Sequence, residues 1–302
     1  MINKEYLAYL DATDKKLLKK KIKKYKLSKF SALTREQLSN RIMDVLCTER
    51  LDGQRSFMMQ ANTLDFPAGT VFYRVRWLDP SEDPLNPKSM LELGAVWMPP
   101  SERVQPGRVN RKGEALLYTA TTPMTALAEA RIKDGDLFAL ISYESKSSCK
   151  LNSIGMPQDQ KNELNVSCRA KVGTLEDFLI TEFSRDSGSE GEHIYLASDI
   201  ITKDYFDYPE TIGWCYKSVA DPAGVNICFK GGFAKNYLEA KTIAIGRLQK
   251  SKTEKKLNIT SFCFIDKNDR EYNYVTEHIG TPYLDFKNLH NSHFLDAPPG
   301  VF

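Results

Sequence analysis

The sequence predicts an α+β protein, a β-rich body with few and short helices behind a basic helical N-terminal arm. Three observations predict it. Apolar residues recur at helical spacing with dense lysine in residues 15–46, seven short runs rich in β-branched and aromatic residues follow residue 65, and the helical stretches among those runs are too few for strict strand–helix alternation. A chain of 302 residues with 41% apolar and 27% charged content can bury a core, which excludes a disordered or fibrous protein.

The arm comes first. Nine lysines fall in residues 15–29, interleaved with Leu17, Leu18, Ile22 and Tyr25 at the spacing of an amphipathic helix. Thr34 and Gln37 stand at capping-box spacing and open a second helix whose stripe is Leu38, Ile42 and Val45 or Leu46, with Gly53 expected to end it. Residues 1–55 carry a net +7, whereas residues 56–302 carry −4, an asymmetry hidden in the overall +3. Such an arm either touches nucleic acid, an acidic partner or a membrane surface, or is a solvated lysine-rich appendage. The scarcity of aromatic residues to stack on bases weighs toward the appendage.

The body follows as strand-like runs at 70–78 (TVFYRVRWL), 116–122, 137–143, 213–219, 225–230, 241–245 and 259–265. Helices are expected at 123–132, capped by Thr122 with Pro123 in the first helical position, at 175–184 behind Thr174, and after Glu192; residues 186–191 (DSGSEG) read as a loop. No apolar run approaches the roughly 18–20 residues that span a bilayer, and the opening residues lack a secretory apolar core, so the expected location is cytoplasmic. The six cysteines (Cys47, Cys149, Cys168, Cys215, Cys228, Cys263) never form CxxC, and of the histidines (His193, His278, His290, His293) only the last two are near neighbours. Reduced thiols and no metal are expected. Neither GxGxxG nor GxxxxGK[ST] occurs, so a common nucleotide loop is excluded.

Several residues carry chemistry. Arg74 and Arg76 share one face of a strand otherwise made of apolar residues, where a guanidinium forms a structural ion pair or clamps phosphate or carboxylate. Residues 107–113 (GRVNRKG) set three cations and an asparagine between two glycines before a strand. Tyr118 lies on that strand, and Glu129 sits in the second turn of the helix that follows, where it could pair with Lys133. Ser218 follows an apolar strand, and residues 221–224 (DPAG) turn the chain back into the next.

In this order, FYRVR, GRVNRKG, LLYTATTPMTALAE and WCYKSVADPAGVNICF resemble the RES domain family over about residues 66–235. The resemblance implies site residues at Arg74, Arg108, Tyr118, Glu129, Ser218 and Asn226. It also implies an ADP-ribosyltransferase-like mixed β core and a toxin that consumes NAD as substrate. An Xre-type helix-turn-helix antitoxin is the implied partner, and a homo-oligomer is compatible with it. Glu129, Arg74 and Ser218 are then the catalytic candidates. Arg74, Arg108, Tyr118, Ser218 and Asn226 are the candidates for holding the dinucleotide. Outcomes weighed beside NAD cleavage are ADP-ribosyl transfer to a macromolecule and non-enzymatic binding of nucleic acid or a partner through the arm. The expected organisation is an extension over 1–62, a catalytic domain over 63–248 with an insertion around 152–189, and a β-rich extension over 249–302 packing on that domain.

Overall fold

Seven helices and twelve strands form among the residues that the structure, a computed structural model, describes: 4–50, 53–157, 162–185, 192–250, 255–265, 272 and 284–285. The first helix, α1 (Lys4–Ala12), precedes the lysine-rich α2 (Lys15–Lys26). The Asp14 carboxylate caps α2 by accepting from the Lys16 N–H at 2.7 Å. Next, α3 (Arg35–Leu46) opens on the predicted capping box: the Gln37 N–H donates to Thr34 Oγ1 at 3.2 Å and the Thr34 N–H to Gln37 Oε1 at 3.0 Å. Its stripe of Leu38, Ile42, Val45 and Leu46 is buried. Gly53 does not end this helix. α3 stops at Leu46 and runs into a hairpin of β1 (Cys47–Glu49) and β2 (Arg55–Phe57), where Gly53 at φ +77° serves the turn that a side chain would strain.

The remaining elements are β3 (Thr63–Phe66), β4 (Val71–Trp77), β5 (Leu117–Ala120), α4 (Pro123–Glu129), β6 (Leu137–Ser145), β7 (Cys149–Ile154), α5 (Val166–Ser184), α6 (Glu192–Tyr205), β8 (Gly213–Lys217), β9 (Val225–Phe229), α7 (Gly231–Tyr237), β10 (Leu238–Lys250), β11 (Lys255–Phe264) and β12 (Leu284–Asp285). Each of the seven expected strand runs is a strand, so the fold is α+β as predicted. α4 is shorter than expected, and α5 starts nine residues earlier, capped by Asn165 rather than Thr174. The Thr174 hydroxyl instead donates back to the Ala170 carbonyl inside the helix. The expected loop at 186–191, as well as His278, His290 and His293, lies outside the described residues.

The chain divides into two units. One combines Met1–Leu64, Val104–Glu114 and Lys150–Lys217, and the N-terminal helices are built into its core. Leu10, Leu18, Tyr25, Phe30, Leu38 and Ile42 are buried together with Val172, Leu175, Phe178 and Leu179 of α5. The Tyr25 ring lies 5.1 Å from Phe30 and from Phe178, and its hydroxyl donates to Glu182 Oε2 at 2.8 Å. Lys171 of α5 donates to the Leu10 and Asp11 carbonyls at 2.6 and 3.2 Å near the end of α1, where the Leu10 carbonyl also accepts from the Thr13 N–H at 3.2 Å. Cys168, Lys171 and Val172 in the early half of α5 are buried, and α1 and α2 both pack against this helix. In the same unit β7 and β8 pair in parallel, Asn152 opposite Trp214.

The other unit is Asp65–Arg103, Ala115–Cys149 and Ser218–Phe302. Its strands lie in the order β12, β11, β10, β6, β4, β5, β9, and the pairs with a defined register are antiparallel. Leu127 and Met124 of α4 pack on one face of this sheet with Tyr73, Val75, Phe138, Leu140 and Ala244. α7 begins on Gly231, where a Cβ would stand 2.4 Å from the Ala115 carbonyl oxygen. That close approach requires glycine at 231, whereas a Cβ on the following Gly232 would meet nothing within 4 Å.

All six cysteines are buried thiols, and none is joined in a disulfide. Burial pushes the Cys149 thiol up to about 11 and the Cys215 thiol up to about 12, from an ordinary value of 9.0. Because the folded pKa is the raised one, the stabilisation from keeping these thiols protonated is complete below pH about 9 and is lost as pH climbs toward 11 and 12. The urea midpoint is therefore expected to hold from pH 7 to about 8.5 and to fall by pH about 10.5; Cys149→Ala/Cys215→Ala, measured likewise, should show a shallower decline.

Candidate active site

Glu129 is placed by the way α4 begins and ends. Thr122 caps the helix by accepting from the Thr125 N–H at 3.1 Å, Pro123 supplies a preset φ at the first position, and the buried Ala126 and Leu127 seat the helix on the sheet. The helix stops at Glu129, and Arg131 takes φ +54°, a left-handed conformation that turns the chain away. The carboxylate thus sits exposed at a helix C-terminal end, where the carbonyl dipoles oppose a negative charge. Two donors from distant sequence offset this. The Ser218 hydroxyl donates to Glu129 Oε1 at 2.5 Å and the Asn226 amide to the same oxygen at 2.8 Å. Among the described residues, no protein donor reaches Oε2.

Ser218 and Asn226 are held in turn. Both are buried, at 5% and 6% exposure, beside an exposed carboxylate, so they form a fixed floor under it. Ser218 Oγ also accepts from the Asp221 N–H at 3.0 Å, the Ser218 N–H donates to the Gly224 carbonyl at 3.0 Å, and the Gly224 N–H donates to the Asp221 carbonyl at 2.8 Å. These bonds make residues 218–224 a tight turn. The buried Thr125 hydroxyl of α4 donates to Asp221 Oδ2 at 2.6 Å, which ties that turn to the first turn of the helix bearing Glu129. A Cβ on Gly224 would lie 2.2 Å from Thr125 Oγ1, so only glycine admits this approach. Ser218 is therefore engaged inside the protein, on Glu129. Asp221, Thr125 and Gly224 went unread as site residues. DPAG signals a turn, but nothing local in the sequence joins that turn to Thr125, 96 positions away from Asp221.

Asn226 lies opposite Ala120, and Tyr118 opposite Cys228, on the paired strands β5 and β9. Ala120 is in turn opposite Tyr73, so by strand alternation Tyr118 and Asn226 face the side on which α4 packs. Tyr118 is half-buried there. Arg74 and Arg76 alternate onto the other face. Their partners are backbone carbonyls, neither the carboxylate of an ion pair nor open water: Arg74 Nη1 donates to the Val96 and Trp97 carbonyls at 3.2 and 2.5 Å, and Arg76 to the Ala95 carbonyl at 3.2 Å. Burial, helped by the neighbouring Arg74 charge, lowers the Arg76 pKa, and burial raises that of Tyr143, whose hydroxyl also donates to the Val96 carbonyl. Arg74 thus carries a structural duty in holding residues 95–97.

Arg108 belongs to the other unit, in the loop 104–114. The loop is closed by the buried Asn110, whose amide donates to the Gln105 and Arg111 carbonyls at 2.9 Å each. Two ion pairs anchor it to α6: Arg111 to the buried Asp199 at 2.9 Å, which also holds Arg35 at 2.7 Å, and Lys203 to Glu114 at 2.5 Å. The Arg111 pKa is raised mainly by its hydrogen bond to Asp199. Arg108 donates to the Glu182 and Arg185 carbonyls at the end of α5 and lies over the Tyr195 ring at 5.8 Å. The structure therefore brings Glu129, Ser218 and Asn226 into direct contact and places Tyr118 on the same side of its sheet.

Among the described residues, no group of three or more His, Cys, Asp or Glu is arranged to hold a metal ion, and no helix is long and apolar enough to cross a membrane. A family model, the RES domain, matches residues 85–240, just over half of the 302. The matched span contains Arg108, Tyr118, Glu129, Ser218 and Asn226, while Arg74 precedes it. No curated protein and no solved structure matches the chain.

Proposed function

Because this chain is a member of the RES domain family, we propose that it cleaves NAD at the bond between ribose and nicotinamide, with Glu129 facing the sugar. The observation that carries the reading is the carboxylate itself: exposed at a helix end, gripped by Ser218 and Asn226 through one oxygen, with the other open to a ligand. When the C1′–N bond breaks, its electron pair leaves with nicotinamide and neutralises the pyridinium, and positive charge builds on the ribose. The reaction then needs a preorganised anion beside the ring more than a general acid. Water or inorganic phosphate attacks the sugar afterwards, and Glu129 can accept the proton that an attacking water loses.

Other residues take lesser parts. The half-buried Tyr118 ring offers a face for nicotinamide to stack on. Ser218 and Asn226 position the carboxylate. Arg108 is assigned to the diphosphate, supported by its charge and by the family resemblance; Arg74, which alternates onto the sheet face opposite the one that α4 covers and donates to the Val96 and Trp97 carbonyls, takes a structural part instead. The same resemblance supports an ADP-ribosyltransferase-like core and a toxin role restrained by an Xre-type antitoxin. An enzyme that drains a central cofactor needs such restraint, and a partner that covers Glu129 would supply it.

Product analysis of NAD incubated with the purified protein, with and without inorganic phosphate, tests the reading. Free nicotinamide with ADP-ribose indicates hydrolysis, and a phosphorylated ADP-ribose formed only with phosphate indicates phosphorolysis. Intact NAD under both conditions overturns the proposal. Label from NAD retained on a macromolecule in lysate would replace cleavage by transfer.

A further inference from the structure

The outer face of α2 is a surface that the catalytic reading does not use. The helix holds eight lysines and no acidic residue, and Lys16, Lys19, Lys20, Lys23, Lys24 and Lys26 are exposed. No ion pair joins any of them among the described residues. Lys15 and Lys19, Lys16 and Lys20, Lys19 and Lys23, and Lys20 and Lys24 stand four apart, a spacing at which like charges repel and weaken a helix. The inner face is fixed: Leu18 and Tyr25 are each 1% exposed, and Tyr25 packs edge-to-face on Phe178 of α5 and donates a hydrogen bond to Glu182 of the same helix. The lysines are therefore carried on a docked, rigid support.

We propose that this face binds the phosphate backbone of double-stranded DNA without sequence preference. Four features select that partner. A membrane-surface helix needs a broad, continuous free apolar face, whereas α2 buries Leu18 and Tyr25 in the core and exposes Leu17 alone among its apolar residues. A single strand calls for exposed aromatic rings, whereas the one aromatic of α2, Tyr25, points inward. The charges of α2 are all lysines, point charges that pair with phosphate without the fixed bidentate geometry of a guanidinium, which suits contact with a regular backbone in no particular register. Finally, twelve helical residues extend about 18 Å, a length along which one DNA strand presents about five phosphates.

The test is fluorescence anisotropy of the full chain with a labelled duplex of roughly 24 base pairs, from about 50 to 200 mM salt. Wild type is expected to bind with a log–log salt slope of about −4 to −5, and Lys16→Glu/Lys20→Glu/Lys23→Glu/Lys24→Glu to weaken binding at least about 100-fold at the lowest salt with helicity and melting unchanged. If that variant fails to fold, the neutral pair Lys20→Gln/Lys24→Gln should still lower the slope by about 2. No binding at low salt, a slope near zero, equal binding by a folded variant, or tighter capture by phosphatidylserine vesicles than by DNA overturns the proposal. None of these readouts depends on NAD, so the catalytic reading stands or falls apart from them.

Discussion

Replacing Glu129 with glutamine is expected to lower the turnover of NAD by a factor of roughly 100 to 1,000 while KM moves less than about threefold. Glutamine keeps the size of the side chain and an oxygen that can still accept from Ser218 and Asn226, so position survives and only the charge is lost. Transition-state charge is what the proposed role stabilises, which is why the effect should appear in kcat. Stability should move the other way. Removing a negative charge from a helix C-terminal end is favourable by about 0.3–1 kcal/mol, so the melting temperature should hold or rise slightly. A variant with unchanged turnover would remove Glu129 from the mechanism, and a variant that loses activity only through unfolding would show it in the melting curve.

The second large effect is expected from a residue that touches no substrate. In Gly224→Ala the new methyl would meet Thr125 Oγ1 at 2.2 Å, Thr125 Cγ2 at 2.5 Å and Asp221 Oδ2 at 2.8 Å. Thr125 is fully buried and its short side chain cannot swing aside, so the 218–224 turn must separate from α4. That movement carries Ser218 away from Glu129. Overpacking of this kind costs about 1–3 kcal/mol, and a displacement near 1 Å at a reacting group costs up to about 100-fold in rate. Thr125→Ala removes the obstructing atoms, so adding it to Gly224→Ala should restore part of the loss, giving a coupling clearly different from additivity. Strict additivity in both melting and turnover would show that the turn and the helix do not act on each other as described.

Much of this was legible beforehand because it rests on short-range physics. The Thr34 capping box, the Thr122–Pro123 helix start and the seven β-rich runs each depend on neighbours within a few residues, and all reappear. The four motifs that resemble the RES family pointed to Glu129, Ser218 and Asn226, which meet. Errors arose where a local signal had two uses. Gly53 reads as a helix end and serves a hairpin; Thr174 reads as a helix cap and lies inside α5, its hydroxyl turned back to the Ala170 carbonyl. The strand arginines Arg74 and Arg76 were expected to seek an anion and found backbone carbonyls, since nothing in a strand pattern reports which loop will pass beneath it.

By itself the sequence determined the α+β class, the helix starts, the uneven charge and the family, because each is written in composition or in spacing along the chain. The tertiary structure alone decided that one oxygen of Glu129 is held by residues 89 and 97 positions away, and that Gly224 must be bare for Thr125 to reach Asp221. Contacts of that separation follow from which surfaces the packed strands and helices bring within hydrogen-bond range. No periodicity encodes them, since they arise only after the chain has closed on itself.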